Sequence, residues 1–177
     1  MRAIGQQHVP KGFTLLELMV TIIIVAVLSA FAMPSMSRMI LKHRVQDAAS
    51  DVFVALLKTR SEAIKRNADI SLQPVTAGDW TSGWQIPDPV NSGKYLDAHQ
   101  PLINISASLT GTSPDAYPIY NSAGRLKNGT PVFIISASTG NYSCSYKVTV
   151  DPSGRPYEKS TGVNGTDVVT GGGAPTC

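Results

Sequence analysis

The longest apolar run of the chain lies near the N-terminus and is followed directly by Pro34. All side chains from residue 13 to residue 33 are apolar apart from four, which are Thr14, Glu17, Thr21 and Ser29. A helix of this length rises about 1.5 Å per residue and spans roughly 30 Å, the thickness of a hydrocarbon core. We therefore predict a transmembrane helix over residues 13–33.

Beyond this run the pattern changes to that of an amphipathic helix, which we predict over residues 34–67. Pro34 removes a backbone donor and clashes with the preceding turn, which predicts a kink or break near residues 30–33. Apolar residues then recur at three- and four-residue spacing, at Val45, Ala48, Ala49, Val52, Phe53, Leu56, Ala63 and Ile64. This stripe requires a partner, and the rest of the chain supplies only a sheet.

After residue 67 the apolar period changes to two, which is typical of short strands. The predicted strands are 70–73, 83–86, 102–106, 131–135 and 145–150, and residues 151–154 have the composition of a type I turn. Residues 87–101 and 107–118 are expected to be surface loops. The pattern shows no internal repeat and no coiled-coil heptad. The fold class is α+β, with a long N-terminal helix whose second half packs on an antiparallel β head of residues 68–177.

Glu17 is out of place in a membrane helix. A carboxylate costs about 2.5–3.5 kcal/mol at the centre of such a helix on insertion scales and less near an end, which suggests a partner from another molecule. The stretch Gly12-Phe-Thr-Leu-Leu-Glu17, ahead of about twenty apolar residues, resembles the class III signal of type IV pilins and type II secretion pseudopilins. The pilin lollipop, a long helix carrying a β head, agrees with the predicted fold class.

The resemblance implies how the N-terminus is processed. Residues 1–12 are a leader that a prepilin peptidase removes after Gly12, and the new N-terminal Phe13 is then methylated. The Glu17 carboxylate pairs with the amine of a neighbouring subunit during assembly. Pro34 matches the place where pilin helices kink or melt.

The same resemblance implies partners and a location. The partners are other minor and major pilins, the prepilin peptidase and methyltransferase, an inner-membrane assembly platform and the lipid bilayer. The subunit crosses the bacterial inner membrane once with its head in the periplasm, and then enters a pilus or pseudopilus.

Two simpler interpretations of the N-terminus stay open. One is a secretory signal peptide cut at the A-x-A-like site Ala30-Phe31-Ala32, although the apolar run exceeds the usual 7–15 residues of such a signal. The other is a plain one-pass anchor, which leaves Glu17 without a role. Both are less consistent with the sequence than the pilin signal.

A second resemblance covers the rest of the chain. Arg60 to Asn67, Gly83-Trp84, Ser153-Gly154-Arg155 and the terminal cysteine are similar to the GspH/FimT family of minor pilins and minor pseudopilins. The FimU-like branch, whose members lie in the priming complex at the pilus tip, is the nearest pattern. This implies a non-enzymatic structural subunit of a type IV pilus, with a minor pseudopilin of a type II secretion system as the alternative.

Catalytic and metal-binding chemistry is not indicated. After removal of the leader the chain has two histidines, His43 and His99, and neither has metal-ligand spacing. There is no nucleophile elbow or phosphate loop. The formal net charge of +3 falls to +1 without Arg2 and Lys11, which implies no strong polyanion-binding field. We predict no cofactor, no metal ion and no catalytic residue.

DNA is a less favoured partner. FimT members that bind DNA carry a Gly-Arg-x-Arg signature, and here Gly154-Arg155-Pro156-Tyr157 lacks the second arginine. A weaker hypothesis places DNA on Arg155 and Lys159, helped by Arg125, Lys127, Lys147 and stacking on Tyr157 or Tyr146. We expect these charges to solvate the β surface instead, and we expect Trp80 and Trp84 to pack in the core or at its rim.

The two cysteines predict a disulfide. Cys144 and Cys177 form an even pair in a chain expected in an oxidising compartment. Closing a loop of about 33 residues contributes roughly 3–4 kcal/mol on the chain-entropy model. The bond would also hold the glycine-rich C-terminal tail.

Overall fold

The computed structural model describes residues 12–112, 117–139 and 142–161, including all their side chains except those of 30–35 and 159–161. One helix, α1, spans Leu15–Arg66. Nine strands follow within the described residues: β1 Ile70–Ser71, β2 Gln73–Thr76, β3 Asp79–Pro87, β4 Tyr95–Ala98, β5 Ser106–Thr110, β6 Ile119–Tyr120, β7 Val132–Thr139, β8 Tyr142–Val150 and β9 Pro156–Thr161. The α+β class is confirmed. The leader up to residue 11 and the tail from residue 162 lie outside the described residues.

Both ends of α1 are capped by residues whose chemistry suits the position. The backbone N–H of Glu17 donates to Thr14 Oγ1 at 3.2 Å, which makes Thr14 the N-cap. At the other end Asn67 takes a left-handed φ of 51°. The N–H of Asn67 donates to the carbonyl of Ile64 and the N–H of Ala68 to that of Ala63. This pair of bonds is a Schellman motif, and it ends the helix where the sequence predicted.

The break predicted near Pro34 does not occur, because α1 continues through residues 30–34. A proline removes one donor from the helical ladder, and the turns on either side can keep their own bonds. The kink stays a prediction.

The chain divides into two compact units, Met1–Ser37 and Arg38–Cys177. In the N-terminal unit the apolar side chains from Leu15 to Leu28 are 48–76% exposed. The hydroxyls of Thr21 and Ser29 donate to the carbonyls of Leu18 and Val25 at 2.8 and 2.7 Å. Within the described part of the chain, no helix combines the length and apolarity needed to cross a membrane. The transmembrane assignment of residues 13–33 stays a prediction.

In the C-terminal unit the described strands form three antiparallel sheets, and the second half of α1 belongs to the same unit. The sheets have the orders β1-β6, β2-β3-β4 and β5-β7-β8-β9. Burial alternates along β7 and β8, where Phe133 lies opposite Val148 and Ile135 opposite Tyr146. This alternation is the period-two pattern that the sequence showed.

One predicted strand, 102–106, and both predicted loops, 87–101 and 107–118, differ from the structure. Residues 102–106 are mostly irregular, because Asn104 has a left-handed φ of 58° that interrupts an extended chain, and β5 begins only at Ser106. The segment 87–101, expected to be a loop, contains β4. Strand β5 also falls largely within the expected loop 107–118. Both are short outer strands with modest burial, so their apolar alternation is weak.

One hydrophobic core joins α1 to the sheets of the C-terminal unit. The predicted stripe is confirmed at six of its eight positions, Val45, Ala48, Ala49, Val52, Leu56 and Ala63, all at most 3% exposed. Phe53 is half-buried and Ile64 is 51% exposed. Trp80 and Trp84 are core residues, each 3% exposed, and Trp80 meets Phe133 edge-on at 4.7 Å between ring centroids.

Candidate functional site

The predicted processing site lies at the open start of the described chain. Phe13 is 81% exposed. A Cβ added at Gly12 would meet no heavy atom within 4 Å. The fold of the described residues therefore makes no demand for glycine at this position.

Glu17 lies in the first turn of α1, three residues after the N-cap. Thr14 and Glu17 have the spacing of a capping box, and an acidic side chain in a first turn also interacts favourably with the helix dipole. Sequence reasoning missed this local role, although the signal Thr-x-x-Glu ahead of an apolar run was present. Among the described residues, the Glu17 carboxylate forms no salt bridge.

Two stretches of the second resemblance, Arg60 on α1 and Ser153-Gly154, meet each other and a third segment at Gly124. The Arg60 Nε donates to the carbonyl of Gly124 at 2.9 Å, and its Nη2 reaches the carbonyl of Ser153 at 3.5 Å. Gly154 has a φ of +83°, and a Cβ there would collide with the carbonyl oxygen of Gly124. The guanidinium thus ties the helix end to two turns that touch each other at glycines.

These two turns, residues 121–125 and 151–155, have the same hydrogen bonds, and we call them the twin turns. In the first, Asn121 Oδ1 accepts from the N–H of Arg125 at 3.0 Å, and the N–H of Gly124 donates to the Asn121 carbonyl. In the second, Asp151 Oδ1 accepts from the N–H of Arg155 at 3.1 Å, and the N–H of Gly154 donates to the Asp151 carbonyl. Both turns have the pattern Asn/Asp-x-x-Gly-Arg, which is a shared local turn geometry and does not contradict the prediction of no internal repeat.

Titratable groups at the twin turns have shifted pKa values. The hydroxyl of Ser153 and the N–H of Arg155 donate to Asp151, and these hydrogen bonds lower its pKa. Burial raises the pKa of Tyr120, although the nearby Arg60 partly opposes this. The Tyr120 ring lies 3.2 Å from the position that a Cβ at Gly154 would take. The arrangement is that of a structural clamp.

The DNA hypothesis requires exposed basic side chains and an exposed aromatic ring, and only some of its residues meet this requirement. Arg155 is exposed beside its turn and Tyr157 is 47% exposed. Lys127 pairs with Asp69 at 2.7 Å. Lys159 lies opposite Lys147 in the register of β8 and β9, but its side chain lies outside the description. Tyr146 is 5% exposed and accepts a hydrogen bond from Gln46, so the stacking role suggested for Tyr146 is wrong.

His99 packs between a tryptophan and the helix. Its ring stacks on Trp84 at 4.0 Å with an interplanar angle of 12°, and its Nε2 lies 3.2 Å from Asp51 Oδ2. These contacts attach the segment after β4 to α1. No cluster of three metal-ligating side chains occurs in the described ranges.

Cys144 is buried on β8 and takes part in a disulfide bond. Cys177, the other cysteine of the sequence, lies outside the described residues. The pairing of the two stays a prediction.

Comparisons with known proteins agree with this geometry. Residues 10–33 match the model of the prokaryotic N-terminal methylation motif, and residues 48–170 match that of the type II transport protein GspH. None of the curated proteins matches the chain.

Two crystal structures of the type IV minor pilin FimU from Pseudomonas aeruginosa PAO1 resemble the chain at 21% identity. One has a TM-score of 0.55 and covers 65% of this chain and 87% of FimU. The other has a TM-score of 0.53, with coverages of 64% and 91%. At this identity the likeness shows a shared fold. By the match over residues 48–170, the chain belongs to the GspH family, and it carries a prokaryotic N-terminal methylation motif ahead of that domain.

Proposed function

We propose that the protein is a non-enzymatic minor pilin that a prepilin peptidase processes and that is incorporated into a type IV pilus. The observation that carries the proposal is the order of two matches in one chain, a methylation motif at residues 10–33 and a GspH domain at residues 48–170. The likeness to the FimU fold adds support from the structure of the domain.

Processing follows from the chemistry of the N-terminus. Cleavage after Gly12 would leave an ammonium group on Phe13, next to the cap of α1. Glycine at position 12 can adopt an extended or strained pose in a protease site at low cost, because it has no Cβ. Methylation of Phe13 would keep the positive charge on the amine.

Assembly would then satisfy two charges at once. In an apolar environment an ammonium or a carboxylate is costly alone and tolerable when paired. The Glu17 carboxylate of one subunit would pair with the amine on Phe13 of its neighbour. The exposed apolar side chains of the N-terminal unit would exchange lipid contacts for contacts with other pilin helices. Before this the subunit would be anchored in the inner membrane with its C-terminal unit in the periplasm.

We place the subunit in the priming complex at the pilus tip, at low copy number. The support is the FimU-like pattern of the sequence and the FimU-like fold. Its partners there would be other minor pilins, with the major pilins below and the assembly platform in the membrane. Quantitative mass spectrometry of sheared pili should find this subunit in at most about one copy for each tip complex; a content like that of the major pilin would overturn the placement.

The direct test of processing is the intact mass and N-terminal sequence of the protein from native membranes. The proposal expects an N-methylated phenylalanine from position 13. A start at Met33 would contradict it and indicate a secreted domain released from a signal peptide.

A minor pseudopilin of a type II secretion system is the second candidate, and the family description as a type II transport protein favours it. The helix chemistry is common to both systems. Deletion of the gene separates them, because loss of twitching supports the pilus and loss of protein export supports the secretion system.

A DNA receptor is the third candidate, with less support. The buried Tyr146 and the Lys127–Asp69 ion pair leave fewer groups for nucleic acid than the sequence suggested. Salt-dependent DNA binding by the purified chain that disappears in Arg155→Ala would revive it.

A further inference from the structure

A short apolar stripe on α1 faces away from the core of the C-terminal unit. Val54, Leu57 and Ile64 are 59%, 41% and 51% exposed, and Ser61 is exposed between them. The spacing of three, four and three residues is that of the a and d positions of a heptad. The stripe covers fewer than two heptads, so it does not contradict the prediction of no coiled-coil heptad.

The stripe borders a groove with a volume of about 520 Å³, which is lined by Leu57, Arg60, Ser61, Ile64 and Lys65. Ser61, whose side chain is small, lies between Leu57 and Ile64 in this lining. In paired helices, each a or d side chain of one helix inserts between four side chains of the facing helix.

The flanks of the stripe are basic. In heptad terms Lys58 and Lys65 occupy e positions and Arg60 a g position, the places that set partner choice in paired helices. Lys58 lies 2.9 Å from Asp97 and Lys65 lies 3.6 Å from Glu62. The two lysine side chains are 44% and 71% exposed, and ion pairs at exposed positions are weak. The two hydrogen-bond acceptors of Arg60 are neutral carbonyl oxygens.

This charge pattern selects the occupant. A second copy of the same face would place cations against cations in either orientation, and like charges across an interface are costly. A helix with an apolar seam and Asp or Glu beside it would complement both the groove and the flanks.

We infer that the face of Val54, Leu57, Ser61 and Ile64 docks a helix of a different pilin-type subunit, one whose apolar seam has acidic flanks. The inference rests on the proposed function, since it supplies the filament in which such a subunit is a neighbour. It adds a specific contact in the C-terminal unit to the general packing of N-terminal helices.

Site-specific photocrosslinking in the full-length chain, expressed in its own bacterium, tests the inference. A photoreactive amino acid replaces Ser61, and the control replaces Val90, which is 77% exposed between β3 and β4. We expect an adduct from position 61 to a helix of another subunit that carries a methylation motif, with Asp or Glu beside the crosslinked residue. An adduct with a second copy of this chain, with a protein lacking the motif, or no adduct would overturn it.

Charge reversal tests whether the basic flanks select a partner helix with acidic flanks. The double variant Lys58→Glu with Lys65→Glu should lower the yield of the adduct about tenfold, because acidic flanks would then face acidic flanks. Lys94→Glu, on an exposed loop, should leave the yield unchanged. An equal yield from the double variant would contradict this selection.

The N-terminal mass of the same samples separates the two claims. A processed and incorporated subunit without an adduct at position 61 would overturn the docking face alone. An unprocessed subunit would overturn the proposed function, and with it the inference.

Discussion

The two compact units of the chain use apolar side chains in opposite ways. In the N-terminal unit, Leu15, Leu16 and their neighbours are largely exposed, and the hydroxyls of Thr21 and Ser29 are satisfied within the helix. In the C-terminal unit a continuous core buries one face of α1 against the sheets. The core of the second unit therefore stabilises it internally, whereas the described side chains of the first unit present an exposed apolar surface. In our proposal, assembly covers this apolar surface and pairs the Glu17 carboxylate.

Within the C-terminal unit, two adjacent leucines on α1 give the largest expected effect and test which face of the helix is buried. Leu56 is 0% exposed and Leu57 is 41% exposed. Leu56→Ala should lower the free energy of unfolding by about 2–5 kcal/mol, since it leaves a cavity. Leu57→Ala should change it by about 0.5 kcal/mol or less. Denaturant unfolding of the detergent-solubilised protein measures both, and equal losses would contradict the assigned core.

The twin turns give a smaller effect. Gly154→Ala should destabilise by about 1–3 kcal/mol from the left-handed backbone alone, and by more because its Cβ would collide with the Gly124 carbonyl. Gly78→Ala is the matched control, with a φ of +79° and open space around the added Cβ. If both variants unfold at the same denaturant concentration, the contact between the turns does not contribute.

A difference in acid response should distinguish the two turns. Hydrogen bonds from Ser153 and Arg155 lower the pKa of Asp151. In the other turn Asn121 accepts the equivalent hydrogen bond from Arg125, but its amide does not titrate. Because the folded pKa is depressed, the contribution of Asp151 is present above the ordinary pKa of about 3.9 and is lost as pH falls through the folded value. Asp151→Asn should therefore flatten the loss of stability below about pH 4.

Unfolding midpoints measured from pH 2 to pH 5 test this. Asp69→Asn is a control of equal charge change, on a carboxylate whose partner is Lys127. If stability falls with pH as steeply in Asp151→Asn as in the wild type, the Asp151 carboxylate does not have the role assigned to it.

Periodic features were predictable from the sequence, and local geometry was less so. The stripe on α1, the helix end at Asn67, the turn after Asp151 and the burial of Trp80 each follow from a repeat or from a residue with one strong preference. The end of the helix needed only an asparagine able to adopt a left-handed backbone. Predicting these features required little knowledge of tertiary packing.

The failures have physical causes in particular residues. Residues 102–106 alternate like a strand, but the left-handed Asn104 interrupts them. Tyr146 could stack or pack, and only the strand register places it in the core beside Gln46. The clamp of Arg60 on Gly124 and Ser153 joins residues 64 and 93 positions apart, which no local pattern reveals. The Thr14 cap could have been predicted from the Thr-x-x-Glu spacing, which is a local signal.

The measurement that tests the central claim most directly is the filament content of Glu17→Gln. Glutamine can replace glutamate in a capping box, so the start of α1 should persist while the charge is lost. Removing one partner of a buried ion pair costs about 3–5 kcal/mol. We therefore predict normal cleavage after Gly12, with the ratio of filament to membrane subunit lowered about tenfold or more. A processed Glu17→Gln subunit at wild-type content in the filament would contradict the account.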